Sequence, residues 1–391
     1  MVGPDAISGS EREGMTAVRV RHEASFLPAE LTEEAQRQLN ICNACRYCEG
    51  LCAVFPALER RLGFDEPDIL FLANLCHDCR SCNDACPYAL PHVFAVSIPP
   101  LMSQLREETY RSFTVPGRLA SLSASWTTIL LTALVVMVIV AGSWIGVGSD
   151  VFFGVHEGPG AFFAVVPFVA MLLPALAIAG FALVVMLLGA RRFSNVINAS
   201  AVNSDRARGR RTLIDILSFR NMRGGGPGCT YAEEGLGENL SQSRRFAHAL
   251  VFYGFGLGLV ATTLAAIYQD ILGIMPPYEV FSLPVILGTI GGGMMTIGCS
   301  MMLRQKAGSG VSLETPKMKS MDRTFIILLL AANISGLLLL LFRASPLMGL
   351  SLTIHLGLVL ALFATLPYGK FVHSTYRSIA LYRNESESLT R

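Results

Sequence analysis

Cys42-Asn-Ala-Cys45-Arg-Tyr-Cys48-Glu-Gly-Leu-Cys52 and Cys76-His-Asp-Cys79-Arg-Ser-Cys82-Asn-Asp-Ala-Cys86-Pro87 carry one spacing twice and hold eight of the chain's ten cysteines. Three thiols spaced three residues apart on a tight loop supply one face of an iron-sulfur cubane, and a remote fourth thiol completes the tetrahedron. In the two-cluster arrangement the fourth cysteine of each run ligates the other cluster. The expected sets are Cys42, Cys45, Cys48 and Cys86 for one 4Fe-4S cluster, and Cys76, Cys79, Cys82 and Cys52 for the other. Crossed pairing of this kind forces the two cubanes close together. Zinc fits the pattern less well, since it takes four ligands and would leave evenly spaced thiols unexplained. Disulfides fit less well still, because the opening forty residues are polar and charged with no apolar signal segment. Ala53 stands where a proline often follows the fourth cysteine of the first run. Cys229 and Cys299 fall outside both runs and read as a loop thiol and a small buried residue.

At 391 residues, with 52% hydrophobic and 15% charged side chains, the whole chain is too apolar for a soluble protein of its length. Six stretches are long and apolar enough to cross a bilayer, at 126–148, 161–189, 247–268, 281–303, 324–342 and 348–370. The net charge of +2 says little, but the basic residues are unevenly placed. Connections 149–160 and 269–280 hold no Lys or Arg, whereas 190–246 holds ten arginines and 304–323 carries Arg304, Lys306, Lys317, Lys319 and Arg323. The positive-inside rule therefore places both termini and the second and fourth loops in the cytoplasm. Six crossings return the chain to its starting side, which agrees.

The expected organisation is a flexible leader at 1–30, a two-cluster 4Fe-4S domain at 31–115, a six-span membrane domain at 116–373 with a cytoplasmic loop at 190–246, and a cytoplasmic tail at 374–391. Met15 is an alternative start. Residues 32–41 read as a short helix capped by Thr32. Residues 54–75 read as helix and turn between the two runs, and the segment from Pro87 to about 115 as amphipathic, with Leu101, Met102, Leu105 and Tyr110 on its apolar side. The glycine run Arg223-Gly-Gly-Gly-Pro-Gly-Cys229 lacks the strand and Lys-Ser/Thr of a P-loop and reads as a close-packed turn against the cluster domain.

Coordinating side chains inside a bilayer are functional candidates by default. His248 opens the third crossing and His373 closes the sixth, both at the cytoplasmic face; His355 lies about two turns into the sixth from the outer face. The last two, eighteen residues apart, would share one helix face about 27 Å apart. One helix would then offer an axial ligand to a b-type haem near each surface, with His248 and His373 sandwiching the haem nearer the clusters. His156, in the outer loop before the second crossing, is the other outward-side histidine available to His355. The plainer reading makes His248 and His373 interfacial side chains whose rings reach the headgroups. Pro367 and Gly369 also stand where a kink would spoil the shared face. His77 and His92 flank the second run as donors or surface residues, and His22 belongs to the leader.

The order of cluster domain, six spans, the glycine run, Arg244-Arg245-Phe-Ala-His248 leading into Phe252-Tyr253-Gly254-Phe255, then His355-Leu-Gly and Leu366-Pro-Tyr-Gly-Lys-Phe-Val-His373 resembles the tricarballylate-utilisation protein B family, also called CitB-like. The resemblance covers nearly the whole chain from about residue 30. It implies an all-α fold, a two-cluster ferredoxin-like domain followed by a six-helix bundle similar to the gamma-subunit cytochromes of respiratory nitrate reductases. It also implies a membrane partner for an FAD-containing flavoprotein that oxidises tricarballylate, with electrons passing through the two clusters and b-type haem to the quinone pool. The chain would then be an electron-transfer subunit with no catalytic residues of its own, seated in a bacterial inner membrane. Service to a different flavoprotein or to a cobalamin-pathway enzyme fits the same residues. A transporter with an iron-sulfur regulatory domain fits worse, since the spans lack the intramembrane carboxylates and paired broken helices of coupled transport.

Overall fold

A computed structural model of the chain describes residues 25–117, 119, 125–197, 206–222, 236–308 and 313–388. Among these the structure is helical throughout, with no strand. Five helices make the N-terminal unit: α1 (Ala29–Cys45), α2 (Val54–Glu59), α3 (Glu66–Leu75), α4 (Ser81–Asp84) and α5 (Ile98–Phe113). The membrane part follows as α6 (Ser125–Val147), the short α7 (Ser149–Phe152) and α8 (Ala161–Val165), then α9 (Phe168–Val196), α10 (Arg206–Ser218), α11 (Leu236–Asp270), α12 (Leu283–Gly308), α13 (Pro316–Phe342) and α14 (Met348–Thr365). The chain ends in α15 (Val372–Ser388). The glycine run and Cys229, His22 and most of the leader lie outside the described residues.

Helix α1 starts at Ala29 with Pro28 as its cap, so Thr32 sits inside the first turn and its hydroxyl donates to the Pro28 carbonyl at 3.1 Å. The fixed φ of proline suits the helix entrance, and no side-chain cap is used there. Helix α3 is entered conventionally: Asp65 accepts from the Asp68 amide at 3.0 Å and Pro67 follows inside the first turn. Every residue of α3 from Ile69 to Leu75 is buried, which delivers Cys76 from the centre of the unit. Leu101, Met102, Leu105 and Tyr110 of α5 are buried as their spacing predicts, with α5 laid against α3.

Six helices, α6, α9, α11, α12, α13 and α14, are long and apolar enough to span a membrane. Helix α14 is central and packs on α6, α13 and α9, while α12 joins α13 to α11. Helices α11 and α12 approach most closely at Gly254 and Gly291, where a Cβ on either would stand 2.7 Å from the other's carbonyl oxygen. Apolar side chains in lipid gain nothing by associating, so small residues that admit close backbone contact hold such pairs together. The outer face of α6 presents Leu130, Leu134, Met137 and Val138. Trp126 and Trp144, exposed near its two ends, stand about 27 Å apart along the helix, close to the hydrocarbon thickness.

The last crossing differs from the expectation. Helix α14 stops at Thr365, and a turn through Pro367, Tyr368 and Gly369 separates it from α15. Pro367 has no N–H to continue the ladder, and the Tyr368 and Gly369 amides turn back onto the Thr365 carbonyl at 3.1 and 2.9 Å. His355 and His373 are therefore on two different helices, and the five-turn shared face does not exist. Residues 374–388, expected as a tail, continue α15, which packs on α3, α9 and α10.

This docking is what fixes the N-terminal unit on the membrane bundle. Arg61 and Arg383 both pair with Asp68, at 2.8 and 2.6 Å, and both pair with Glu387, at 2.7 and 2.8 Å. Both guanidinium groups also cover the buried Phe71 ring, 4.7 and 4.4 Å from its centroid. On the other side Phe113 of α5, Phe193 of α9 and Tyr376 of α15 meet in one aromatic junction, with Phe193 and Tyr376 centroids 5.0 Å apart.

Candidate functional site

Two cysteine loops sit back to back in the N-terminal unit. The first run begins inside α1, whose last turn holds Cys42 and Cys45, and leaves it at Arg46 in the left-handed region at φ 55°; the second has Asp78 and Arg80 there, at φ 57° and 67°. Such residues turn the chain tightly enough to bring successive thiols to one side. The eight thiols lie close to one another. Cys42 is pushed up to about 12 by burial, with Cys86, Cys48 and Cys45 adding to the rise. Cys52 is pushed well above the ordinary thiol range by burial, then by Cys79 and Cys76. Cys52, Cys76, Cys79 and Cys82 line a single pocket whose other walls include Leu51, Val54, Phe55, Ile98 and Pro99.

Four thiols gathered in an apolar pocket would stay protonated unless a cationic core offset their charge, so the donor set fits an iron-sulfur cubane. Among the described residues no three His, Cys, Asp or Glu side chains converge tightly enough to hold a single metal ion, which is the arrangement zinc would need. His77, in the same pocket, is held down to about 3 by burial, then by Arg377 and Arg106, and its buried Nε2 has no hydrogen-bond partner.

Two histidines, His248 and His373, lie close to each other. His248 of α11 and His373 of α15 have ring centroids 6.2 Å apart, with their planes at 84°. Two imidazoles sharing one iron would stand at about this separation, given metal–nitrogen bonds of about 2 Å on each side and half a ring width beyond each. The His373 Nδ1 donates to the Lys370 carbonyl at 2.7 Å, which leaves Nε2 with its lone pair free. Burial, then the Lys370 and His248 charges, hold His373 down to about 3, so it is neutral at physiological pH. The His248 Nδ1 is buried with no partner. Phe219 closes the side of this pair, 5.3 Å from the His248 ring centroid. Histidines placed this way, with aromatic cover and free nitrogens, fit a b-type haem.

Sequence reasoning missed what orients His373. Asp322 of α13 pairs with Lys306 at 2.7 Å and with Lys370 at 2.8 Å. Burial alone would push Lys370 down, but the Asp322 carboxylate more than offsets it and leaves it raised. Lys306 also reaches Glu314 at 3.2 Å, and Glu314 takes Arg80 of the second cysteine loop at 2.6 Å. A chain of ion pairs thus runs from the loop of Cys79 to the turn that carries His373. Asp322→Asn leaves the Lys370 ammonium without its carboxylate while Lys306 keeps Glu314, and breaking such a buried pair costs roughly 3–5 kcal/mol. We expect a lower thermal midpoint for detergent-solubilised Asp322→Asn, read by circular dichroism; an unchanged midpoint would remove the network from the docking.

His355 and His156 each bond elsewhere. His355 Nδ1 donates to the Ala332 carbonyl at 3.1 Å and lies 3.0 Å from Ser335 Oγ, whose hydroxyl donates to the same carbonyl, both on α13. Gly336 makes room for its ring, since a Cβ there would stand 2.9 Å from the His355 Cε1. His156 turns back into its own loop, where its Nε2 lies 2.7 Å from the Val151 carbonyl. His92 packs between Tyr88 and Phe94 near the surface, and Cys299 is fully buried, as its reading as a small core residue predicts.

Two family models cover almost all of this architecture. Residues 35–112 match the citrate utilization protein B Fer4-like domain, and residues 120–391 match citrate utilization protein B. The chain is also 36% identical over 356 residues to the citrate utilization protein B of Escherichia coli, covering 90% of this chain and 91% of that one. No solved structure matches it.

Proposed function

The chain belongs to the citrate utilization protein B family, and from that premise we propose that it is a membrane electron-transfer protein. It takes electrons from a flavoprotein dehydrogenase of tricarballylate or citrate use and delivers them to the quinone pool. The observation that supports this most directly is the adjacency of a four-thiol pocket and a histidine pair, joined by one helix, α15. The clusters and the haem supply one-electron steps when bound. Cys42, Cys45, Cys48 and Cys86 would hold one 4Fe-4S cluster, and Cys76, Cys79, Cys82 and Cys52 the other. His248 and His373 would be axial ligands of a b-type haem at the cytoplasmic face.

The residues around these ligands do the rest. Leu51, Val54, Phe55, Ile98 and Pro99 exclude water from the second thiol pocket. The Lys370 carbonyl holds the His373 tautomer, and α15 keeps the two centres at a fixed separation. The uneven arginines support a cytoplasmic position for the cysteine unit, where a soluble flavoprotein would have access to it. His355 would serve a second haem nearer the outer face.

The purified protein should be brown, with about eight irons and eight acid-labile sulfides per chain beyond haem iron, as two cubanes require. Its reduced-minus-oxidised visible spectrum should show the bands of a six-coordinate b-type haem. A colourless, folded, anaerobically prepared protein without acid-labile sulfide would overturn the reading.

A further inference from the structure

Helix α10 turns two different sides to its surroundings. Thr212, Asp215 and Phe219 are buried, and on this side the helix packs on α15, with Asp215 beside Glu385. The opposite side presents Arg210, Leu213, Ile214 and Leu217, spaced i, i+3, i+4 and i+7 along one stripe. Its three aliphatic side chains are 54%, 49% and 42% exposed. A contiguous apolar strip on an outer face marks a binding surface.

What this strip meets follows from where α10 is fastened. The Tyr253 hydroxyl donates to the Leu217 carbonyl, and Arg245 Nη2 donates to the Ser218 carbonyl at 2.7 Å. The Phe219 ring stands edge-on to Phe252 and Tyr253, with centroids 5.2 and 5.9 Å away. These partners lie in the first turns of the membrane-length segment Ser243–Asp270 of α11. Phe246, Tyr253, Val260 and Ile267, each seven residues after the last, are all exposed and form the outward stripe of that helix. The apolar strip of α10 therefore continues a lipid-facing surface. Its charge is of one sign: Arg206, Arg208, Arg210 and Arg211 fall within its first six residues, and its first turn holds no acidic residue. Its one carboxylate, Asp215, is on the buried side, where Arg220 reaches it at 3.9 Å. Cations at a helix N-terminus oppose its dipole and gain from an anion brought from outside.

We propose that α10 is an in-plane membrane anchor that binds acidic phospholipids: Leu213, Ile214 and Leu217 enter the boundary of the acyl chains, and the arginines that precede them take the anionic headgroups. Apolar burial and attraction to anionic lipid add in a helix of this kind. Helix α10 ends at Phe219, whose ring centroid is 5.3 Å from that of His248, so a helix seated in the lipid also holds that aromatic cover in place. The proposal rests on α11 crossing the membrane and is independent of the electron-transfer reading.

The test uses full-length protein in lipid nanodiscs, where both membrane faces stay open to solvent. Leu213→Cys is treated with a charged, membrane-impermeant maleimide, and labelling at that position is read by peptide mass spectrometry. Leu62→Cys, at a fully exposed position of the N-terminal unit, is the reference. In discs of phosphatidylcholine with phosphatidylglycerol, Leu213→Cys is expected to react about tenfold more slowly than Leu62→Cys, since a thiol in lipid forms little of the reactive thiolate. Most of that protection should be lost in phosphatidylcholine alone, and equally when Arg210→Gln and Arg211→Gln are added. Equal labelling of the two positions in the acidic discs would overturn the proposal. Protection that is the same in both lipids would assign the face to cover by the chain itself, and protection that appears only with the donor flavoprotein would assign it to that partner; either result overturns the anchor. Should Leu213→Cys fail to fold, Ile214→Cys reads the same stripe.

Discussion

His373→Ala is expected to abolish haem incorporation, leaving iron and sulfide of the clusters at wild-type content, and His248→Ala should do the same. The size of the effect follows from what is removed. Losing a partner that merely orients a metal-bound histidine costs about 10–100-fold in metal affinity; losing the coordinating nitrogen costs more. Each ring also stands 6.2 Å from the other in a largely buried setting, so the survivor cannot swing to a substitute. The measurement is the pyridine haemochrome content per chain, with acid-labile sulfide assayed on the same sample. Full haem in both variants would dismiss the ligand assignment and return these residues to interfacial roles. His355→Ala, set in its own niche on α13, should leave the cytoplasmic-side haem in place.

Cys45→Ser should stop reduction of the haem by the donor flavoprotein. Cys45 would share a cluster with Cys42, Cys48 and Cys86 on the reading proposed above, and serine offers a harder, less acidic donor to iron. Loss of that cluster breaks the route at its cytoplasmic entrance, so the rate of haem reduction should fall by orders of magnitude. Dithionite, which is small enough to reach the haem directly, should still reduce it. Haem reduction by the flavoprotein at the wild-type rate would take the clusters off the route. Because Cys86 comes from the second run, Cys86→Ser should remove the same cluster as Cys45→Ser, which is the specific signature of crossed pairing.

Local patterns were legible wherever one residue type carries its own chemistry. The spans follow from apolar length, with α6 and α13 ending within a residue of where the apolar runs do. The helices that extend past their runs, α11 back to Leu236 and α13 back to Pro316, do so in polar sequence that hydropathy cannot see. The inference of one helix bearing both His355 and His373 failed at Pro367, because counting residues at 3.6 per turn assumes an unbroken ladder. The residues at 374–388 looked like a polar tail because their buried positions, Tyr376, Ala380 and Leu381, are interleaved with charges whose partners lie some three hundred residues earlier.

By itself the sequence determined the inventory: eight thiols in two identical frames, six lipid-length segments, an arginine-weighted face and a few histidines near the ends of spans. These are readable because each is either local in spacing or additive in composition. Tertiary structure alone decided which parts meet. It turned α15 back onto α3, set His373 against His248 across two helices, hung that turn on Asp322, and bonded Arg244 to the Cys79 carbonyl. Contacts between residues tens to hundreds of positions apart depend on how buried faces and charges are jointly satisfied, and no short window of sequence contains that information.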